Sequence, residues 1–341
     1  MRYKQGEKME IIRLVEQSPL SAKKTLAQLG INRSTYYNWY DRYVESGYDG
    51  LADDYHTPER FWNAIPPWEK QNIVELALDH PDKSPRELAW YIVDTFGYYV
   101  SESTVYRLLK ANDLVTSPNY IVLKARDKFP QPTRTVNELW QTDFTYLKVV
   151  HWGWYYLTSI LDDFSRYIIA WKLCKTMGTD DVKSVLDEAI VVTGVKQVKV
   201  FLRPRLLSDN GSCYVSGALR EYLEQEGIRH IRGKPMHPMT QGKIERYHRS
   251  LKNIISLDNY YLPEELEDQI RLFIAHYNNY RYHESLDNVT PADVFYGRQK
   301  EILERREQTR KKTIRIRRKM YDNVVDKLNN QGYITTNKTV S

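Results

Sequence analysis

The sequence predicts an α/β protein in which a mixed-sheet unit follows two small all-α units. Three observations predict it. Residues 7–110 show helical spacing of apolar side chains, broken twice by Gly-containing turns. Residues 139–173 are rich in aromatic and β-branched side chains in three runs, separated by Trp152-Gly153 and by Asp162-Asp163-Phe164-Ser165-Arg166. From residue 180 onward helical and extended patterns alternate, the mark of a sheet with helices packed on it.

The first helix is expected over 7–17, with Met9, Ile12 (or Ile11) and Val15 on one face. Ser18-Pro19-Leu20-Ser21 breaks it, and Ser21 is placed to cap a second helix through Leu29. After Gly30-Ile31-Asn32 a third begins at Ser34, with Leu26 and Trp39 inside. Two short helices joined by such a turn fit a helix-turn-helix, whose second helix enters the major groove of DNA. Arg33, Ser34, Thr35, Tyr37, Asn38 and Arg42 would then face phosphates and base edges. The pattern recurs after a Pro-rich stretch. Helices are expected from Trp68 to Leu78, from Glu87 to Phe96, and from Ser101 to Lys110, with Ser103 and Thr104 at the groove and Arg107 and Lys110 on phosphates. Thr116 to Thr135, with three prolines, reads as an extended connector.

In the sheet unit, strands are expected over Leu139–Val150, Trp154–Leu161 and Tyr167–Leu173. A helix follows from Asp180 to Thr193. A fourth strand runs from Val198-Lys199-Val200-Phe201-Leu202 through Leu206-Leu207 to the Asp209-Asn210-Gly211 turn. After a helix over Ala218–Gln225, Ile228–Ile231 reads as a fifth strand. Ile244, Tyr247, Leu251, Ile254 and Ile255 then mark an amphipathic helix with Glu245 near its start, and Pro263–Tyr282 a long one. Asp143 and Asp209 on strands and Glu245 on a helix are hard oxygen donors of the kind that suits paired Mg²⁺ or Mn²⁺.

From Asp209 to Glu245 there are 35 intervening residues. With that spacing, Trp140-Gln141-Thr142-Asp143, Asp162-Asp163-Phe164-Ser165-Arg166, Ser208-Asp209-Asn210-Gly211, Gly242-Lys243-Ile244-Glu245-Arg246 and Tyr277-Asn278-Asn279-Tyr280-Arg281-Tyr282-His283 resemble the integrase core of bacterial insertion-sequence DDE transposases and retroviral integrases. The segments Ala27-Gln28-Leu29-Gly30-Ile31 and Ser34-Thr35-Tyr36-Tyr37-Asn38-Trp39 resemble the N-terminal helix-turn-helix of the same transposases. The resemblance implies an RNase H-like core, with Asp143, Asp209 and Glu245 holding two Mg²⁺ ions. Asp143 would bridge them, and the chemistry would be DNA cleavage and strand transfer. It also implies double-stranded DNA as partner, in the form of element ends and target, and self-association into a dimer or larger assembly. Along the catalytic helix and its preceding loop, Gln241, Lys243, His248, Arg249 and Lys252 are the expected DNA contacts, where many relatives carry Asn in place of Gln241. Asp162 and Asp163 are read as structural.

The expected division is therefore a helix-turn-helix over 1–57, a second over 58–116, a linker over 117–135, the core with C-terminal helices over 136–300 and a basic tail over 301–341. The net charge of +6 belongs to that tail, which holds 11 Lys/Arg against 5 Asp/Glu and leaves 39 of each sign over residues 1–300. Arg315, Arg317 and Arg318 within it are expected on phosphates, where counterion release favours them. No apolar run nears the roughly 18–20 residues of a membrane span. Two cysteines, Cys174 and Cys213, make neither a disulfide framework nor a zinc site unaided, which fits a reducing cytoplasm. Two readings compete: a DNA-binding regulator whose core no longer cuts, and a metal-dependent RNase H-like nuclease or resolvase without strand transfer. The three acids in ordered motifs weigh against the first, and the paired helix-turn-helix segments against the second.

Overall fold

The computed structural model describes residues 3–52, 62–115, 133–233 and 242–330, with side chains through 326. The chain divides into two compact units, Met1–Trp62 and Asn63–Ser341.

The first unit holds α1 (Gln5–Gln17), α2 (Ala22–Gln28) and α3 (Arg33–Ser46), followed by a 3₁₀ turn over Gly47–Leu51. Ile11, Ile12, Val15, Leu26, Ile31, Trp39 and Leu51 close its core. Gly30 adopts φ 70°, the left-handed conformation that ends α2 without a Cβ penalty. Asn32 caps α3, its Oδ1 accepting from the Ser34 amide at 3.1 Å. Ser21 occupies the N-cap of α2, but its side chain makes no capping bond. Instead Ser18 Oγ accepts from the Thr25 hydroxyl at 2.8 Å.

The second unit opens with α4 (Pro67–Asp79), α5 (Pro85–Phe96) and α6 (Glu102–Ala111), packed around Ile73, Leu88, Ile92, Val105 and Leu109. Ser84 and Glu87 form a capping box at the start of α5. Ser101 caps α6 by accepting from the Thr104 amide at 3.3 Å.

Five strands follow: β1 (Leu139–Val149), β2 (Gly153–Asp162), β3 (Ile168–Cys174), β4 (Arg205–Ser208) and β5 (Arg229–Arg232), in the spatial order β3-β2-β1-β4-β5. The first three form an antiparallel meander, and β4 and β5 run parallel to β1. This is the RNase H-like mixed sheet that the sequence predicts. One face is covered by α7 (Thr179–Thr193) and, beyond the single turn of α8 (Ser212–Val215), by α9 (Gly217–Gln225), which enclose Trp140, Ile160, Leu186, Leu206 and Leu219. The other face is covered by α10 (Gly242–Ile255) and α11 (Pro263–Asn279) through Leu157, Leu161, Ile244, Leu251 and Ile270. Where β2 and β3 shift register, Asn278 of α11 both accepts from Ile168 N at 2.9 Å and donates to Ile168 O at 3.0 Å. The chain ends with α12 (Pro291–Phe295) and α13 (Gln299–Asn330).

Two expectations are corrected. The fourth strand does not begin at Val198. Val200–Leu202 is a 3₁₀ turn with Phe201 79% exposed, because Pro204 offers no amide to a ladder and confines the strand to 205–208. The segment 301–341 is not a tail through its described part. Through residue 330 it belongs to α13, whose Arg306, Thr313 and Arg317 are 4%, 2% and 5% exposed. Those side chains bond to Asp94, Tyr99 and Tyr98. The second helical module and the core fall within the unit Asn63–Ser341. The expected linker lies outside the described residues up to position 132.

Candidate active site and nucleic-acid interface

Sheet register brings the first two acids together. β1 and β4 pair as Leu139↔Arg205, Trp140↔Leu206 and Gln141↔Leu207. Asp143 lies two residues past the last of these pairs on β1, and Asp209 two residues past it on the other chain, just beyond the end of β4. Each carboxylate is held by one oxygen. Asp143 Oδ1 accepts from the Phe144 amide at 2.8 Å, and Asp209 Oδ1 from the Gly211 amide at 2.8 Å. The second oxygen of each is left to face outward or bind. Both charges reach the same neighbours: burial first, then Asp209 and Asp143, push the Cys213 thiol above its ordinary pKa. The Tyr214 phenol beside it is pushed up strongly, mainly by burial.

Gly211 leaves room for this turn. A Cβ built there would stand 3.0 Å from Asp209 Oδ1. Gly211→Ala is accordingly expected to shift the Asp209 carboxylate by a few tenths of an ångström and lower turnover, by less than the roughly hundredfold that a misplacement of about 1 Å can cost. Thermal unfolding should remain cooperative, and wild-type turnover in the variant would refute the geometric argument.

β4 stops at Ser208, and past that point α10 runs beside β1. Ile244 N donates to Gln141 Oε1 at 3.2 Å, while the fully buried Gln141 donates through Nε2 to Asp163 Oδ1 at 2.7 Å. Lys243 Nζ donates to Asp163 O at 2.9 Å and pairs with its carboxylate. One turn in, Tyr247 is buried with its hydroxyl 3.4 Å from Ser159 Oγ. His248 Nδ1 lies 3.6 Å from Asp143 Oδ2, and its buried Nε2 has no hydrogen-bond partner. Glu245 is exposed, three residues before His248 on the same helix. The structure thus sets His248 beside Asp143, with Asp209 just past the end of the neighbouring strand and acting with Asp143 on the same Cys213. It does not draw Glu245 into a closed cage with them: among the described residues no group of three His, Cys, Asp or Glu stands ready to hold a metal ion.

Asp162 and Asp163 serve the fold. Asp162 is fully buried, accepts from Ser165 N and Oγ and from Asn137 N, and is raised in pKa mainly by burial. Asp163 accepts from Thr133, Gln141 and Lys243. Hollows beside Arg220, Glu224 and His230, and beside Asn137, Val195 and Arg203, are lined by none of the three acids.

The expected DNA contacts separate into exposed and committed groups. Arg33, Ser34, Thr35, Tyr37 and Asn38 are exposed on α3, although Ser34 Oγ already donates to Asn32 at 3.0 Å. Arg42 is spent on the Ala52 carbonyl. On α6, Ser103, Arg107 and Lys110 are exposed, while Thr104 bonds Ser101 and Arg107 Nε donates to Ser103 O at 3.2 Å. Along α10, Arg249 is exposed and Lys252 sits 3.8 Å from the centroid of the Tyr146 ring. Lys243 pairs with the Asp163 carboxylate, and Arg317, 5% exposed, donates to Tyr98 and to the Tyr99 carbonyl. Arg315 and Arg318 are exposed on α13. Gln241 lies outside the described residues. Gln141 and Tyr146 were missed by sequence reasoning. A glutamine two residues before the strand acid, in an otherwise apolar or aromatic stretch, is the signal that was there for Gln141.

Residues 133–238 match the Integrase core domain family, and residues 226–291 match a second family of that description. The chain carries an integrase core. Residues 2–52 and 35–109 each match a Homeodomain-like domain family. The integrase-core chain is 27% identical over 189 residues to the InsK protein of insertion sequence element IS150 from Escherichia coli K12, covering 55% of this chain and 62% of that one. It is 27% identical over 161 residues to the transposase of insertion sequence element IS904 from Lactococcus lactis, covering 46% and 60%. The chain thus spans about three-fifths of the length of these two relatives. Among solved structures, the HTLV-2 integrase catalytic core domain in complex with magnesium is 22% identical with a TM-score of 0.38, covering 47% of this chain and 97% of that one. Among the described residues no helix is long and apolar enough to cross a membrane.

Proposed function

We propose that this chain is a DNA transposase that binds the ends of its element and catalyses metal-dependent cleavage and strand transfer, acting in the cytoplasm as a dimer or larger assembly. The observation that carries the reading is the placement of Asp143 within β1 and of Asp209 just past the end of the adjacent parallel strand β4, within an integrase core. Glu245 is supplied by the helix that runs alongside.

The donor set fits hard divalent cations. Asp143 and Asp209 each keep one carboxylate oxygen outside a backbone hydrogen bond, and an exposed Glu245 lies on the neighbouring helix. In this reading Asp143, Asp209 and Glu245 would hold Mg²⁺, with Mn²⁺ able to substitute. Bound there, two ions would make water or a DNA 3′-hydroxyl nucleophilic and stabilise the leaving oxygen. His248 faces Asp143 Oδ2 and restrains its orientation. Arg249 and Lys252 extend positive charge along α10 for the phosphates flanking the scissile bond. The exposed face of α3 would read the element end, with α6 as a second reader. Proposed domains follow the described elements: 3–52, 62–115 and 133–298, with α13 joining the last two.

The test is a strand-transfer assay on labelled duplexes ending in the DNA that flanks the gene, with Mg²⁺ or EDTA, for wild type and Asp209→Asn. Joined product that requires both metal and Asp209 supports the reading. Specific binding without cutting would make the protein a regulator, and cutting without joining would make it a nuclease.

The exposed cations of α13 add a separate expectation. Arg315→Ala with Arg318→Ala should weaken DNA binding and reduce the slope of log K against log salt by about two, one for each phosphate no longer neutralised. Arg317 is left intact because it is buried. An unchanged salt slope would remove α13 from the DNA interface.

A further inference from the structure

Three parts of the second unit meet at one guanidinium. Arg306 of α13 donates from Nε to Asp94 Oδ1 at 2.9 Å and from Nη2 to Asp94 Oδ2 at 2.6 Å. The same group donates to Asn288 O at 2.9 Å and Asp287 O at 3.3 Å, in the turn that closes the core. It lies 4.6 Å from the Trp90 ring centroid and 5.5 Å from that of Tyr282, whose hydroxyl donates to Asp94 Oδ2 at 3.0 Å. Asp94 and Trp90 belong to α5, Tyr282 and the two carbonyls to the core. Beside them Arg86 of α5 donates to Asn288 Oδ1 at 3.2 Å.

Further along the same face of α13 a second clamp closes. Thr313 Oγ1 accepts from Tyr99 N at 3.0 Å. Arg317 donates to Tyr98 Oη at 3.0 Å, to Tyr99 O at 2.6 Å and to Asn63 Oδ1 at 3.2 Å. Positions 306, 313 and 317 recur at helical spacing, so one stripe of α13 spans both the module and its junction with the core. The core side of the junction is itself tied down: Tyr277, shortly before the turn, packs edge-on against Tyr247 of α10 at 5.3 Å.

Stability alone does not call for this chemistry. Apolar side chains of similar volume would hold two helices together at least as well, because buried charges must first be stripped of water. A two-pronged arginine–carboxylate pair adds fixed geometry: it forms at one distance and one angle. We propose that Arg306 and Arg317 are positioning residues that lock the second helical module to the core as a ruler, so that the place where α6 seats on DNA decides which phosphodiester reaches Asp143 and Asp209. The ruler rests on the transposase reading, whereas the lock does not.

Two measurements on the full chain separate them. Spin labels at Gln71→Cys and Glu221→Cys report the distance from module to core, since the native Cys174 and Cys213 are buried. Wild type should give one narrow distance distribution. Asp94→Leu with Arg306→Leu, which removes both charges together and so spares the fold, should broaden it. A broad wild-type distribution, or a narrow one in the variant, overturns the lock. On duplexes carrying the bound sequence, wild type should cut at one position and lose at least tenfold in product when two base pairs are inserted between bound sequence and cut. The variant should spread its cuts over several nucleotides and tolerate the insertion, with binding affinity unchanged. Cutting at the wild-type position with the wild-type intolerance overturns the ruler. A wild type that cuts no duplex overturns the transposase reading and the ruler together, and the label distances still decide the lock.

Discussion

Asp143→Asn should abolish cleavage and joining while leaving DNA binding within about threefold of wild type. The substitution keeps shape and removes one negative charge from the middle of β1. Asn can still accept from Phe144 N, so the local backbone, with its 2.8 Å bond, should persist. What is lost is the anionic oxygen beside His248. A neutral amide is a poor ligand for a hard divalent ion, and without the ion neither nucleophile nor leaving group is stabilised. A loss of at least about a thousandfold, roughly 4 kcal/mol of barrier, is expected. Affinity should hold because the exposed faces of α3 and α6 lie on other elements. The measurement is a gel assay of cutting and joining beside a binding titration at one salt concentration. Joining near the wild-type rate in Asp143→Asn would sink the assignment of the site.

Asp163→Ala should be the most damaging single change to the fold near that site. Asp163 is 3% exposed and accepts from Thr133 Oγ1, Gln141 Nε2 and Lys243 Nζ. Removing it leaves the Lys243 ammonium largely buried with Arg166 nearby. Burial first, and the Arg166 charge second, already lower the pKa of Lys243, and the Asp163 charge opposes both. Breaking a buried ion pair by removing one partner costs about 3–5 kcal/mol. Gln141 also loses its anchor, and Gln141 holds the Ile244 amide at the start of α10. Glu245 is the next residue, so activity should fall further than the unfolded fraction explains. Denaturant midpoints and turnover per folded molecule check this. Asp163→Ala with Lys243→Met should recover much of the stability, since the stranded charge goes with its partner. A double variant no more stable than Asp163→Ala would show that Lys243 is not the source of the cost.

The core of the fold was legible because its signals are local. Apolar alternation with Gly and turn residues placed three antiparallel strands near their observed ends, and helical spacing placed α10 and α11. The fourth strand was overextended because Val200, Phe201 and Leu202 carry strand-like side chains, yet they are exposed in a 3₁₀ turn before Pro204. Composition at those positions reports preference, and the missing amide of proline reports whether a ladder can form. The basic segment was misread for the opposite reason. Its charges look solvated in sequence, but Arg306 and Arg317 find Asp94, Tyr98 and the Tyr99 carbonyl more than two hundred positions away.

By itself, then, the sequence determined the mixed α/β architecture, the helical modules before it, the order of the motifs and the candidates Asp143, Asp209 and Glu245, since periodicity, turn chemistry and spacing are written along the chain. Only the tertiary structure decided which charges remain available. It set Lys243 on Asp163, Arg42 on the Ala52 carbonyl and Arg317 on the residues just past α5, and left Arg249 and Arg315 at the surface. The reason is physical. A charge taken from water must find a partner within a few ångströms, and which partners lie that close is set by packing between distant segments.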